Sequence, residues 1–315
     1  MLKFLNFPLI QMCRVDHWFK NIFVLPGMVI AIFLTNKNLT FLDYTYLLFN
    51  MLSICLMASA NYLINEYLDS PYDKFHPIKK NRASVKIRVK LQNVIILYLL
   101  IILASLFISI NSNQNFIFTL VLFGVLGLLY NVKPLRLKDR PYLDILSESL
   151  NNPTRLLLGW SSIENNFLPP ISIFLCFWMG GAFLMTVKRF AELRHVKQKI
   201  LVKYRATFKY YSENILLLKS FFYALMACFF LGIFLIKYRI EYLILFPLIS
   251  LLFTYYLYLG LKKFSITQTP EKLFKSKKLV FITILIVLIF IFTTIVDIDI
   301  LKVLVEPINY EIFKK

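Results

Sequence analysis

Oxygen-bearing side chains recur at every fourth position in one stretch of the chain: Asn61, Asn65, Asp69 and Asp73. On a continuous helix this spacing places all of them on one face. Glu66 adds a further carboxylate, and carboxylates that crowd together without a matching cation repel one another. A hard divalent cation relieves that repulsion, and magnesium fits such a site best when a substrate diphosphate supplies its remaining ligands. The stretch therefore predicts a divalent-cation site.

A proline and a basic run follow this acidic stretch. Pro71 predicts a helix break near Ser70, which would let Asp73 swing from a loop toward the same point. Three cations come directly afterwards: Lys79, Lys80 and Arg82. They are suited to hold phosphates through charge-assisted hydrogen bonds. Alternatively, this stretch is simply a helix end at the membrane surface, and its charged residues are solvated and bind no ligand.

A polar stripe forms the second candidate cluster. Its members are spaced i, i+4, i+7 and i+11 on one side of a helix: Asp144, Glu148, Asn151 and Arg155. Exposing a polar stripe of this kind to lipid costs free energy, so it should face the inside of a helix bundle or a water-filled cavity. An alternative is that Asp144 or Glu148 pairs with Arg155 and joins helices. The preceding loop contributes further polar candidates: Tyr130, Arg136 and Lys138.

The third cluster contains Lys188, Arg189 and Glu192. Lys188 and Glu192 are four residues apart and could simply form a surface ion pair. All three polar clusters lie at helix ends on the same side of the membrane, which favours a shared site instead. His17 and His76 are more typical of hydrogen-bonding groups at a membrane interface than of metal ligands.

The elements that position these residues are membrane helices. Of the 315 residues, 59% are hydrophobic and 17% are charged, which excludes a water-soluble fold. At about 20 apolar residues per crossing, the pattern predicts an all-α polytopic bundle. Nine spans are expected, near 21–35, 44–66, 91–110, 115–130, 144–163, 168–187, 215–236, 242–261 and 279–297.

The basic residues set the expected topology. The net charge is +19, and most Lys and Arg residues precede the first span or follow the even-numbered spans. By the positive-inside rule, the N-terminus and the polar clusters should face the cytoplasm. This accounts for the charge better than nucleic-acid binding does. We expect one membrane-embedded domain over 1–315, with 1–20 lying along the interface and not removed as a signal peptide.

These motifs resemble those of the UbiA superfamily of intramembrane prenyltransferases. The run Asn-Glu-x-x-Asp-x-x-x-Asp at 65–73 resembles the family's first aspartate-rich motif, with Glu66 in place of the first Asp. The stretch from Tyr130 to Lys138 is similar to its Tyr-x-x-x-Pro-x-Arg-x-Lys pattern. The resemblance implies a nine-helix bundle with a lipid-accessible cavity and magnesium-dependent chemistry, with Mn²⁺ as a possible substitute.

Two further segments resemble the decaprenyl-phosphate phosphoribosyltransferase branch. Residues 14–21, Arg-Val-Asp-His-Trp-Phe-Lys-Asn, resemble its Arg-Pro-x-x-Trp-x-Lys-Asn opening. Residues 188–193, Lys-Arg-Phe-Ala-Glu-Leu, resemble its Lys-Arg-Tyr-Ala-Glu-Leu segment. This second segment stands where prenyltransferases proper place a second aspartate-rich motif. The resemblance therefore implies one metal site, formed mainly by the first motif.

The leading hypothesis is transfer of a 5-phosphoribosyl group from phosphoribosyl diphosphate to a polyprenyl phosphate. Asn65, Asp69 and Asp73 would hold magnesium with Glu66 nearby, and Asp144 joins the catalytic candidates. The remaining candidates would bind the substrates or their phosphates: Lys20, Lys79, Lys80, Arg82, Tyr130, Arg136, Lys138, Arg155, Lys188, Arg189 and Glu192. One alternative is prenyl transfer from a prenyl diphosphate to an aromatic or isoprenoid acceptor, and another is a membrane transporter. The expected location is the bacterial inner membrane.

Overall fold

The computed structural model describes residues 8–262, 267, 273 and 276–303. Residues 1–7 of the expected interfacial segment and residues 304–315 lie outside the described residues. The described part of the chain contains helices and connecting loops but no strand, which confirms the all-α prediction.

Fourteen α-helices follow one another in the described chain. The first seven are α1 (Pro8–Met12), α2 (Leu25–Thr35), α3 (Phe41–Asp73), α4 (Ala83–Lys86), α5 (Leu91–Ile108), α6 (Gln114–Asn131) and α7 (Leu143–Ser149). The others are α8 (Asn151–Ser161), α9 (Ile171–His195), α10 (Gln198–Tyr204), α11 (Glu213–Tyr238), α12 (Leu245–Leu261), α13 (Lys277–Ile295) and α14 (Asp299–Val303). Short 3₁₀ segments occupy Val15–Val24, Lys79–Asn81, Leu137–Asp139, Ala206–Tyr210 and Ile240–Ile244.

Eight helical segments of the described chain are long and apolar enough to cross a membrane. They agree with eight of the nine expected spans. The ninth, near 144–163, is divided into α7 and α8, each too short to cross alone. Pro153 lies just after the interruption and has no N–H to donate to the carbonyl of Ser149, which explains why the helix is not continuous there.

Helix α3 positions the acidic motif. It has 33 residues and begins with a capping box, in which Thr40 and Asp43 satisfy each other's backbone N–H groups. At 1.5 Å per residue it is about 50 Å long, whereas the apolar core of a bilayer is about 30 Å thick. The helix is therefore long enough to carry its last turns, with Asp69 and Asp73, beyond the apolar core.

The predicted helix break at Ser70 is wrong, because α3 continues through Pro71 to Asp73. A proline removes the N–H that would bond to the carbonyl four residues earlier, here Tyr67. The Ser70 hydroxyl donates to that same Tyr67 oxygen at 2.9 Å. The helix therefore keeps the Tyr67 carbonyl satisfied, and Asp73 stays in helical register with Asp69.

Helices α2 and α8 cross at two glycines. A methyl group on Gly27 would lie 2.0 Å from the carbonyl oxygen of Leu156, and one on Gly159 would lie 2.0 Å from that of Val24. No carbon side chain fits at these distances. The close crossing brings the N-terminal segment against α8 and so fixes where the polar stripe of α8 points.

We expect Gly159→Ala to lower the free energy of unfolding by about 1–3 kcal/mol, because the backbones of α2 and α8 must move apart. The better helix propensity of alanine offsets at most about 1 kcal/mol of this loss. Chemical unfolding in detergent micelles measures the change. The matched control is Gly232→Ala in α11, where an added methyl meets nothing within 4 Å. Equal stability of the two variants would refute the close crossing.

Candidate active site

A cavity of about 720 Å³ opens at the polar end of the bundle, where α3, α6 and α9 end and α7 begins. The cavity gathers residues from all three polar clusters. The predicted site residues that line it are Lys20, Asn65, Glu66, Asp69, Lys79, Arg82, Tyr130, Arg155 and Lys188. The acidic motif and the cations therefore share one space.

Asp69 lies between two cations that follow α6. The Nη2 atom of Arg136 lies 3.1 Å from Asp69 Oδ1, and the Nζ atom of Lys138 lies 2.5 Å from the same oxygen. Arg136 and Lys138 are buried and do not line the cavity themselves. Burial lowers the pKa of Lys138 to about 8 although the Asp69 carboxylate opposes the shift. The two cations thus fix the orientation of a carboxylate that does line the cavity.

An amide pair orients Asn65. Its Nδ2 donates to Asn131 Oδ1 at 2.5 Å, and Lys138 Nζ donates to that oxygen at 2.7 Å. The amide nitrogen of Asn65 is therefore occupied, and its oxygen is the atom left for another ligand. Asn61, one turn earlier on α3, donates from Nδ2 to the carbonyl of Phe123 at 3.0 Å.

The other two carboxylates of the motif each keep one oxygen without a hydrogen bond. Glu66 Oε1 accepts from Ser84 Oγ at 3.3 Å, while Glu66 Oε2 lies 3.6 Å from Arg14 Nη1. Asp73 is fully buried and binds Arg82 at 2.6 Å through Oδ2. In the described chain, Glu66 Oε2 and Asp73 Oδ1 have no hydrogen-bond partner. Asp73 does not line the cavity, so it contributes there by positioning Arg82.

Arg189 is the centre of a buried ion-pair network on α7 and α9. It is 1% exposed and lies within 3.6 Å of three carboxylates. These contacts are Nε to Asp144 Oδ2 at 3.6 Å, Nη2 to Glu148 Oε2 at 3.0 Å and Nη1 to Glu192 Oε2 at 3.1 Å. Asp144, Arg189 and Glu192 therefore support the cavity wall rather than line it.

Two pairings considered from the sequence are wrong. Glu192 is buried against Arg189 rather than paired with Lys188 at the surface. Asp144 and Glu148 bind Arg189, while the described residues place no carboxylate within 4 Å of Arg155. Spacing along one helix identified the charged groups but not the partner, because α9 brings a closer guanidinium. Lys80 is exposed and does not reach the cavity.

Arg205 is a cavity residue that the sequence reasoning missed. It lies between α10 and the next 3₁₀ segment, and its Nη1 donates to the Tyr130 hydroxyl at 3.0 Å. The same Nη1 lies 3.8 Å from Asp144 Oδ2. Neighbouring carboxylates and tyrosines raise the pKa of Arg205, although burial acts the other way. No motif singles it out, and only its place in a basic loop could have drawn attention to it.

His76 and Lys79 form a second group at the cavity edge. His76 Nδ1 accepts from the backbone N–H groups of Ile78 and Lys79 at 3.2 and 3.3 Å, and burial lowers its pKa to about 4. The ring is therefore neutral at pH 7, with its proton on Nε2. Lys79 Nζ donates to the Tyr204 hydroxyl, and burial lowers the pKa of Lys79 to about 8.

The N-terminal segment packs against α3. Trp18 Nε1 donates to Ser59 Oγ at 2.8 Å, and His17 is buried with its Nδ1 2.9 Å from Lys20 Nζ. Residues 14–20 contribute Arg14, His17 and Lys20 to the cavity wall. This part of the expected interfacial segment is therefore also part of the candidate site.

Comparison with known proteins agrees with this fold. A UbiA homolog from Archaeoglobus fulgidus bound to GPP and Mg²⁺ superposes with a TM-score of 0.66 at 16% identity, covering 92% of this chain and 100% of that one. A digeranylgeranylglyceryl phosphate synthase gives a TM-score of 0.63 at 19% identity, covering 91% and 98%. Because the sequence identities are below 20%, these similarities show a shared fold and nothing about substrates.

The curated nodulation protein NoeC of Azorhizobium caulinodans is 24% identical over 189 residues. The match covers 60% of this chain and 58% of that relative's length. The model of the UbiA prenyltransferase family matches residues 22–285, which is well over half of the chain. This confirms the resemblance to the UbiA superfamily and indicates an integral membrane transferase. The chain therefore belongs to the UbiA prenyltransferase family.

Proposed function

We propose that the chain transfers a 5-phosphoribosyl group from phosphoribosyl diphosphate to a polyprenyl phosphate. The observation that carries this proposal is the charge of the cavity wall. Seven cations line it: Arg14, Lys20, Lys79, Arg82, Arg155, Lys188 and Arg205. Four carboxylates line it: Asp16, Glu66, Asp69 and Glu148. The wall is thus strongly biased toward binding anions.

The excess of cations favours more than one phosphorylated group. A phosphate monoester carries a charge of about −1.5 to −2 at pH 7. Phosphoribosyl diphosphate with a polyprenyl phosphate brings a diphosphate and two monoesters. A prenyl diphosphate with an uncharged acceptor brings the diphosphate alone. The first pair, which carries more negative charge, suits this excess of cations better.

The acidic motif fits a divalent cation only together with substrate oxygens. In the described chain no three His, Cys, Asp or Glu side chains are grouped closely enough to hold a metal ion by themselves. Asn65, Glu66 and Asp69 line the cavity with oxygens that a metal can use. They would hold magnesium, and Asp73 lies one turn beyond them. When bound, magnesium would neutralise charge on the departing diphosphate.

The reaction needs no protein nucleophile. An oxygen of the acceptor phosphate forms the new bond to C1 of the ribose, while the bond from C1 to the diphosphate oxygen breaks. Lys79 and Arg82 bind the diphosphate and stabilise its growing charge. Glu148, held by Tyr130 and Arg189, keeps the wall in place. Asp144 acts as a positioning residue through Arg189 and Arg205.

The second candidate function is prenyl transfer. It is supported by the structural neighbours from Archaeoglobus fulgidus, which are bound to GPP and to DMAPP. The same metal site and basic wall could receive a prenyl diphosphate. The buried Arg155 disfavours this candidate, because a prenyl chain entering the cavity would meet a cation.

The basic loops support a cytoplasmic orientation of the cavity, in a single domain of the bacterial inner membrane. In that orientation the cavity draws water-soluble phosphoribosyl diphosphate from the cytoplasm. The lipid acceptor arrives from the bilayer. The cavity would thus join substrates from two phases.

We expect membranes containing the protein to move label from [¹⁴C-ribose]phosphoribosyl diphosphate into the lipid phase when polyprenyl phosphate is added. Polyprenol, which lacks the phosphate, is the matched acceptor control and should receive no label. EDTA should stop the reaction, and added magnesium should restore it. Lipid labelling from a labelled prenyl diphosphate alone would replace this function by prenyl transfer.

A further inference from the structure

Arg155 is a buried cation without an acidic partner. It is 6% exposed, lines the cavity and lies on α8. Within the described residues no carboxylate approaches its guanidinium to 4 Å, and Glu148 on the neighbouring helix binds Arg189 instead. A guanidinium inside a membrane bundle is costly unless an anion or a wet cavity stabilises it.

The contacts of Arg155 hold it in place without neutralising it. Its Nε donates to Asn21 Oδ1 at 2.9 Å, and its Nη1 donates to the carbonyl of Asn151 at 3.3 Å. Asn21 is itself oriented, because its Nδ2 donates to Cys55 Sγ at 3.1 Å. The guanidinium carbon lies 5.1 Å from the centre of the Phe123 ring. The side chain of Arg155 also forms a hydrogen bond with Tyr62. All of these groups are neutral, so the positive charge of Arg155 remains available to a ligand.

The level of Arg155 in the bundle follows from Phe123. Arg155 packs on the Phe123 ring, and the carbonyl of Phe123 binds Asn61 on α3. Asn61 precedes Asp69 by eight residues, which is about 12 Å along a helix. The cavity therefore has two charged levels. The outer level carries Asp69, and the inner level, nearer the middle of the membrane, carries Arg155.

An in-line displacement is consistent with an acceptor at the inner level of the cavity. The entering oxygen approaches the reacting carbon from the side opposite the leaving diphosphate. With the diphosphate at the outer level beside Asp69, the inner level with Arg155 is left for the entering anion. A lipid whose chain runs in the bilayer can carry its head group to that depth.

We propose that Arg155, held by Asn21, binds the anionic head group of the lipid acceptor. The acceptor is an isoprenoid lipid with one phosphate group. This inference rests on the proposed function and names the acceptor subsite of the same cavity. Arg155 is therefore a specificity-determining residue, because it binds a lipid that carries a phosphate more tightly than the corresponding alcohol.

The test measures binding rather than turnover. Purified protein in nanodiscs is titrated with farnesyl phosphate, with farnesol and with ribose 5-phosphate. In Arg155→Gln the affinity for farnesyl phosphate should fall at least about tenfold, since a charge-assisted hydrogen bond is lost. The affinity for farnesol should stay unchanged, which also shows that the variant is folded. Arg155→Lys should retain part of the preference for the phosphate. Arg194→Gln removes an exposed cation outside the cavity wall and should bind like the unchanged protein.

An unchanged preference for farnesyl phosphate over farnesol in Arg155→Gln would overturn the proposal. A loss confined to ribose 5-phosphate would also overturn it, because the inner cation would then belong to the donor. If membranes show no phosphoribosyl transfer but the preference for farnesyl phosphate depends on Arg155, the acceptor subsite stands and the proposed function fails.

Discussion

Asp69→Asn should reduce transfer activity by about 100-fold or more while the helical bundle stays folded. Asparagine has nearly the shape of aspartate but carries no charge. The substitution removes the negative charge that faces the cavity between Arg136 and Lys138. Losing one preorganised charged group at a site of this kind reduces turnover by about 10² to 10³. Activity in the lipid-labelling assay measures the effect, and thermal unfolding in detergent checks the fold.

Asp139→Asn is the matched control for Asp69→Asn. Asp139 binds the same Arg136, at 2.7 Å, but its side chain is 39% exposed and it does not line the cavity. We expect its activity to stay within a few-fold of the unchanged protein. If both variants lose activity equally, the loss comes from displacing Arg136. If Asp69→Asn retains turnover, Asp69 has no metal or diphosphate role.

Arg189→Met should lower the free energy of unfolding by about 3–5 kcal/mol. Methionine fills a similar volume but leaves Asp144, Glu148 and Glu192 without the guanidinium that binds them all. Removing Arg189 leaves the buried carboxylates of Asp144 and Glu192 without their closest cation. Chemical unfolding in detergent micelles, followed by circular dichroism, measures the loss.

Arg194→Met is the control for Arg189→Met. Arg194 also lies on α9 and also pairs with a carboxylate, Glu213 at 3.5 Å, but both side chains are more than 40% exposed. An exposed pair contributes at most about 1 kcal/mol. A loss in Arg189→Met no larger than in Arg194→Met would show that the buried network does not stabilise the bundle.

The sequence predicted the acidic face of α3 well, because that prediction depends only on helical periodicity. Asn61, Asn65 and Asp69 line one cavity, whereas Asp73, the fourth residue of the i+4 series, does not. The break at Pro71 was wrong for a local reason, since the Ser70 hydroxyl compensates for the missing N–H. The general rule that proline breaks a helix does not consider whether a neighbouring side chain satisfies the free carbonyl.

The ion-pair partners could not be predicted, because they depend on how separate helices pack. Spacing left open a surface pair between Glu192 and Lys188, yet both Glu192 and Glu148 bind Arg189. Arg205 was missed for the same reason, since its approach to Tyr130 joins residues that are 75 positions apart. Residue type, periodicity and the motif resemblance identified most of the charged residues that line the cavity. Tertiary packing decided which of them touch the cavity and which support it.

The proposed metal and diphosphate site is tested most directly by a structure of the protein with phosphoribosyl diphosphate and Mn²⁺, in which anomalous scattering locates the ion. We expect one ion in the cavity, held by the diphosphate and the oxygens of Asn65, Glu66 and Asp69, with Lys79 and Arg82 against the phosphates. An ion elsewhere, or a diphosphate bound outside the cavity, would contradict the proposed site.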